Sequence, residues 1–244
     1  MNNHICVFLA FRNVNDIKMS FDSMYHDEMD FIILENHSDN SDEICEYFKD
    51  KKLRGYIKYE DNAALCAFNI FIRDHREILL EYDYITITDG DLYFYDIREA
   101  FNEIRDGLDK EDCIIASASL YNGNNYSNKN RIIGVDSYND IMRDRTVEFG
   151  CHEGKTQCNV MTLKKENLSL IEDMYFGDTH VFRKVQSWGK KWYRTSRCLA
   201  YHLTWDLYVE GNEYYEWKMK VLATIWKITG EFEYTYIVDP TKRS

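Results

Sequence analysis

Apolar residues in the first half of the chain fall into short unbroken runs. Between them lie longer stretches where apolar residues recur every three or four positions. The unbroken run at 31–34 reads as a strand buried on both faces, and 5–10, 56–59 and 113–118 read as further strands. A fifth, at 84–88, alternates Ile85 and Ile87 with threonines, a β-branched strand pattern. The stretches between read as helices: 14–26, one carrying Ile44, Cys45 and Phe48, one over 63–80, and 96–108 with Ile97, Phe101, Ile104 and Leu108 on one stripe. Asp39 or Ser41 can cap the second of these. Strand and helix alternating through 1–118 imply a parallel sheet with right-handed crossovers.

The second half is patterned differently. Residues 121–130 form a polar loop rich in Asn and Gly. Shorter strands are expected near 131–135, 146–149 and 158–163, and helices near 164–172 and 178–188. A strand-like return from Trp192 leads to 199–206. A last helix over 212–229 carries Tyr214, Trp217, Val221, Leu222, Ile225 and Ile228 as a core stripe. Lys218, Lys220 and Lys227 on that helix leave a peripheral membrane contact open. No repeat or low-complexity linker interrupts the chain, so 1–244 reads as one domain.

Composition narrows the class. Hydrophobic content of 45% and charged content of 30% are ordinary for a soluble globular protein. A net charge of -12 argues against nucleic acid as a partner. The apolar runs fall short of the ~20 residues that cross a bilayer, and the N-terminus lacks a basic segment, so it reads as a first strand and not a signal peptide. Seven cysteines, an odd number with no CxxC pair, point to a reducing, cytoplasmic setting. Cys151, His152 and Cys158 offer only three zinc-type ligands at unusual spacing. The run from Gly150 to Thr156 ends like a phosphate loop but has three residues between its glycines instead of four, and a strand is expected after it.

The chemistry concentrates where the 84–88 strand stops, at Asp89-Gly90-Asp91. Ligands of open α/β sheets bind at the carboxyl ends of strands. Two carboxylates around a glycine make either an acidic turn or a site for a hard divalent cation, Mn²⁺ or Mg²⁺, shared with substrate phosphates.

Other motifs follow in order: Leu34-Glu35-Asn36-His37-Ser38-Asp39, then Asp61-Asn62-Ala63-Ala64-Leu65-Cys66-Ala67-Phe68-Asn69, then Gly177-Asp178-Thr179-His180-Val181 with Gly189 beyond, and Tyr201-His202-Leu203. This series, with Asp89-Gly90-Asp91, resembles the GT-A glycosyltransferases, particularly the inverting, family-2-like group, over about 5–206. Glu35 and His37 stand where that group has Asp and Gly, and the late motif keeps only Asp178.

The resemblance implies an α/β GT-A fold, with a Rossmann-like mixed sheet flanked by helices. It also implies a nucleotide-binding half (1–118) and an acceptor-binding half with a C-terminal helix (119–244). A nucleotide diphosphate sugar, UDP-linked by expectation, would lie over Ala10, Phe11, Arg12, Glu35, Asp39 and Asp61. Asp89, Gly90 and Asp91 would meet its diphosphate. Asp89, Asp91 and His202 would hold the metal, and Asp178 would be the general base of an inverting transfer to a glycan hydroxyl. Arg73 is a weaker diphosphate candidate. Tyr121, Tyr126, Trp188, Trp192 and Trp205 are candidate acceptor-facing aromatics. Two alternatives stay open: a sugar nucleotidyltransferase, disfavoured because 5–13 contains no glycine-rich loop, and an inactive GT-A-like binding protein.

Overall fold

The computed structural model of the chain describes residues 2–121, 134–144, 149–155, 160–171, 176–204 and 233–242, with the single positions Glu213, Glu216 and Lys220. The side chains of Asp178 and Thr179 lie outside this description. The first half runs β1 (His4–Ala10), α1 (Val14–Met24), β2 (Asp30–Glu35), α2 (Ser41–Phe48), β3 (Gly55–Tyr59), α3 (Cys66–Leu79), β4 (Tyr84–Asp89), β5 (Leu92–Phe94), α4 (Ile97–Leu108) and β6 (Cys113–Ser117). The second half adds β7 (Leu120–Tyr121), α5 (Gly134–Asp144), β8 (Cys151–Glu153), β9 (Val160–Lys164), α6 (Leu168–Ile171), α7 (Asp178–Ser187), β10 (Lys191–Thr195), β11 (Ala200–His202) and β12 (Tyr234–Val238).

Among the described residues nine strands form one sheet in the order β12-β3-β2-β1-β4-β9-β6-β10-β8. β3, β2, β1 and β4 are parallel, as the strand–helix alternation predicts. β9 then lies antiparallel between β4 and β6, which makes the sheet mixed. Every residue of β1 is buried, and its side chains alternate between two cores. Cys6, Phe8 and Ala10 pack with α1, α2 and α4. Ile5, Val7 and Leu9 pack with α3 and α7 on the other face. A helical layer therefore covers each face.

A second sheet of three strands, β5-β11-β7, starts where the first stops. β5 follows β4 after only two residues and pairs antiparallel with β11. Its outer N–H groups are taken by α1: Leu92 N–H donates to Ser20 Oγ (3.2 Å) and Phe94 N–H to Ser23 Oγ (3.1 Å).

Helix starts follow local chemistry. Asp96 caps α4 by accepting from Glu99 N–H at 3.0 Å. α3 begins at Cys66, not at 63, because Ala64 turns into the left-handed region (φ 46°). Where a strand is expected at 131–135, the chain enters α5 at Gly134, with Tyr138 and Met142, four apart, turned inward. The expected strand at 146–149 and the loop at 122–130 fall almost wholly outside the described residues, as do most residues of the 212–229 helix. Glu213, Glu216 and Lys220 of that helix are helical and exposed. No helix among the described residues is long and apolar enough to cross a membrane.

Candidate functional site

The parallel register sets the rim of the site. Ala10 pairs with Glu35, and Leu9 pairs with Asp89, so the carboxyl ends of β1, β2 and β4 lie side by side. The chain turns at Gly90. A Cβ there would sit 2.6 Å from the Leu9 carbonyl oxygen and 3.0 Å from the Phe8 ring, so only glycine fits.

Beyond Gly90, the small sheet delivers the other half. His202 pairs across from Leu92, and Leu203 N–H donates to the Asp91 carbonyl at 2.8 Å. That register sets His202 Nε2 3.1 Å from Asp91 Oδ2. Thr204 Oγ1 donates to the same carboxylate oxygen at 2.5 Å. His202 and Thr204 are buried, while Asp91 keeps 18% of its side chain exposed. Asp89 ends β4 half-buried. The structure thus brings Asp91 and His202, 111 residues apart in sequence, into contact, with Asp89 two residues from Asp91. Thr204 is the member that sequence reasoning missed. A single threonine carries no pattern, and its place follows from the β5–β11 register alone.

Among the described residues no group of three or more His, Cys, Asp and Glu is disposed to hold a metal ion by itself. Asp91 and His202 supply a carboxylate and an imidazole. That set fits a divalent cation whose remaining ligands come from substrate phosphates and water.

The β1 and β2 ends are zipped into one surface. Asn36 N–H donates to Ala10 O at 3.0 Å, Arg12 N–H to Ser38 Oγ at 2.9 Å, and Asn40 Nδ2 to Arg12 O at 2.8 Å. Arg12 and His37 take positive φ (60° and 54°), His37 where the family motif has glycine. Phe11 is half-buried beneath the Arg12 guanidinium, 5.1 Å from its ring centre. Asp39 is exposed and reaches Arg12 at 3.4 Å.

Asn36 also anchors the loop after β3. Its side chain accepts from Ala63 N–H (2.8 Å) and donates to Asn62 Oδ1 (3.1 Å) and Ala64 O (3.3 Å). Asp61 at the head of that loop is exposed. These contacts give Asn36 a loop-holding role that sequence reasoning did not assign.

Glu35 behaves differently from the expectation of a donor contact. It is fully buried. Ser38 N–H donates to one carboxylate oxygen at 2.7 Å and Ser41 Oγ to the other at 2.8 Å. Its hydrogen bonds hold the β2–α2 loop and the first turn of α2. Arg73 is exposed and pairs with Asp74 at 2.6 Å. Asp74 is held below the usual carboxylate range by the Arg73 hydrogen bond, against the opposing effect of its partial burial.

Asp178 is the first residue of α7, behind the cap position Gly177. Its side chain lies outside the described set, as do Tyr126 and Trp205. Trp192 is a core residue, not an acceptor surface: it is buried and its indole N–H donates to Ser117 Oγ at 2.9 Å. Trp188 is exposed, and Tyr121 packs half-buried against Tyr138. Within the Gly150–Thr156 run, Cys151–Glu153 form β8. There His152 accepts from Arg194 Nε at 3.0 Å, while Cys151 packs beside Gly107 with its thiol pushed up to about 12 by burial.

A mannosyltransferase, PcManGT from Pyrobaculum calidifontis in complex with GDP-Man and Mn²⁺, superposes on 90% of this chain at a TM-score of 0.55 and 14% identity. The fold is GT-A, the fold of this mannosyltransferase. The GT-A fold of this chain covers 60% of that mannosyltransferase. A nucleotide-diphospho-sugar transferase from Desulfovibrio desulfuricans G20, described as putative in its own name, aligns with 80% of each chain at a TM-score of 0.48 and 7% identity. No family model matches the sequence. Among curated proteins it is similar to three from Acanthamoeba polyphaga mimivirus. Uncharacterized protein L142 is 27% identical over 88% of this chain, L138 26% over 94%, and L137 28% over 91%. The chain spans less than half the length of each: 46%, 27% and 32%.

Proposed function

We propose that this GT-A chain is a glycosyltransferase that moves a sugar from a nucleotide diphosphate donor to a hydroxyl of a glycan acceptor. The observation that carries the reading is the meeting of Asp91 and His202 at the carboxyl edge of the sheet, beside Asp89 and Gly90. A carboxylate and an imidazole, with a second carboxylate two residues away, are a donor set for Mn²⁺ or Mg²⁺. The bound cation supplies neutralisation of the charge that grows on the leaving diphosphate.

The chain's own residues then have these roles. Asp91 and His202 hold the cation, and Asp89 takes a ribose hydroxyl or a metal-bound water. Gly90 lets the turn pack against β1, which sets Asp89 and Asp91 where the diphosphate would lie. Phe11, Arg12, Asp39 and Asp61 line the zipped loops over which the nucleoside lies, with Ala10 and Glu35 as the buried footing beneath. Asp178, opening α7, is the proposed base that deprotonates the acceptor hydroxyl in an inverting reaction. The Mn²⁺ and GDP-Man in the Pyrobaculum mannosyltransferase support a metal-dependent nucleotide-sugar site. They make guanine a candidate base beside the uracil expected from sequence.

Calorimetry of GDP and UDP, each with and without Mn²⁺, on the wild type and Asp91→Ala tests this. One nucleotide should bind in a Mn²⁺-dependent way, and the variant should lose at least tenfold in that affinity. If neither nucleotide binds under any metal condition, the proposal fails.

A further inference from the structure

Thr204 makes the shortest of the contacts to the Asp91 carboxylate described above. Its hydroxyl donates to Asp91 Oδ2 at 2.5 Å, within the range of a charge-assisted O–H···O⁻ bond. Thr204 is 8% exposed and sits two residues past His202. The three residues clasp Asp91 together. His202 meets its side chain, Leu203 N–H meets its carbonyl, and Thr204 meets its side chain again.

The two side-chain contacts differ in kind. His202 Nε2, 3.1 Å from Asp91 Oδ2, belongs to the pair that would hold the cation. Thr204 Oγ1 donates its own hydrogen to Asp91 and is not one of the groups that would hold the cation.

We propose that Thr204 is a positioning residue. Its hydroxyl holds the Asp91 carboxylate in the orientation that accepts a divalent cation, both before and after the cation arrives. The inference rests on the metal-dependent reading given above and adds a member that acts through Asp91 without touching the substrate. Outer partners of metal-binding carboxylates typically contribute ~10–100-fold to metal affinity.

The test is Mn²⁺ binding followed by the electron paramagnetic resonance signal of free Mn²⁺, in the presence of GDP and, separately, UDP. It is made on the wild type, Thr204→Val, Thr204→Ala and Thr204→Ser, with thermal melting of each. The expected result is about tenfold weaker Mn²⁺ binding in Thr204→Val and Thr204→Ala, and binding within about twofold of wild type in Thr204→Ser. Thr204→Ala removes the hydroxyl without adding bulk, so the result stands even if valine is poorly accommodated. Wild-type affinity in both hydroxyl-free variants overturns the inference, as does Thr204→Ser behaving like Thr204→Ala. A wild type that binds no Mn²⁺ with either nucleotide overturns instead the reading on which it rests.

Discussion

Glu35 shows how a residue can sit in a motif and yet serve the scaffold. Both of its oxygens accept from its own loop, and its burial is complete. Glu35→Ala leaves the Ser38 N–H and the Ser41 hydroxyl without their acceptor, a loss of about 1–3 kcal/mol. Urea unfolding should report it directly. If Glu35 touches no nucleotide, affinity for the nucleotide will fall only as far as the loop disorders.

His4 is a second buried polar residue, hydrogen-bonded to Thr86 Oγ1 at 2.7 Å, which in turn meets Thr162 Oγ1 at 2.8 Å. Burial first, then the positive charges of Arg105 and His26, press its pKa down to about 3. The unfolded chain takes up a proton at this histidine below about 6.5, whereas the folded chain does not until about 3. The unfolded state thus binds more protons across that window, and stability falls as pH drops through it. His4→Gln should therefore show a smaller loss of unfolding free energy than wild type between pH 7 and pH 5.

Sequence alone singled out Asp91 and His202 as candidates, by the order and spacing of the carboxylate pair and the late histidine, and the structure brings the two into contact. Sequence could not give the inward turn of Glu35 or the grip of Thr204. Both depend on where a neighbouring backbone lies.

At the scale of elements, the strands and helices of the first half were legible because each is bounded by a turn and keeps one period throughout. β5, β7 and β8 were not, being two or three residues long and too short for a period to show. β12 lies at the far end of the chain and enters the sheet beside β3 by antiparallel pairing, a partner that no local pattern names. The strand expected near 131–135, where Ile132, Ile133 and Val135 are β-branched, lies outside the described residues up to 133, and Gly134 and Val135 belong to α5.

The junction of β4 and β5 is the element on which the site depends, and Gly90 makes it. Gly90→Ala places a methyl group 2.6 Å from the Leu9 carbonyl oxygen, a backbone atom that can move only with β1. The expected cost is about 1–3 kcal/mol of stability. A greater than tenfold loss of Mn²⁺-dependent nucleotide binding should accompany it. Melting temperature and calorimetry on the same sample will show whether both occur. Loss of stability with intact binding would remove the turn from the proposed site.

For the whole molecule, Asp89 belongs to the nine-stranded sheet, and His202 to the three-stranded one. Asp91 lies at the seam between them, and α1 lends two serine hydroxyls to the edge of the smaller sheet. A cation and diphosphate gathered there would act as a rivet through two plates. Its first effect would be mechanical: the small sheet could no longer open independently of the large one. Hydrogen–deuterium exchange can read this. With nucleotide and Mn²⁺, the amides of β11 and of Leu203 should slow far more than those at the centre of β1, which open only when the whole fold does. Equal slowing everywhere would mean that the ligand merely raises global stability.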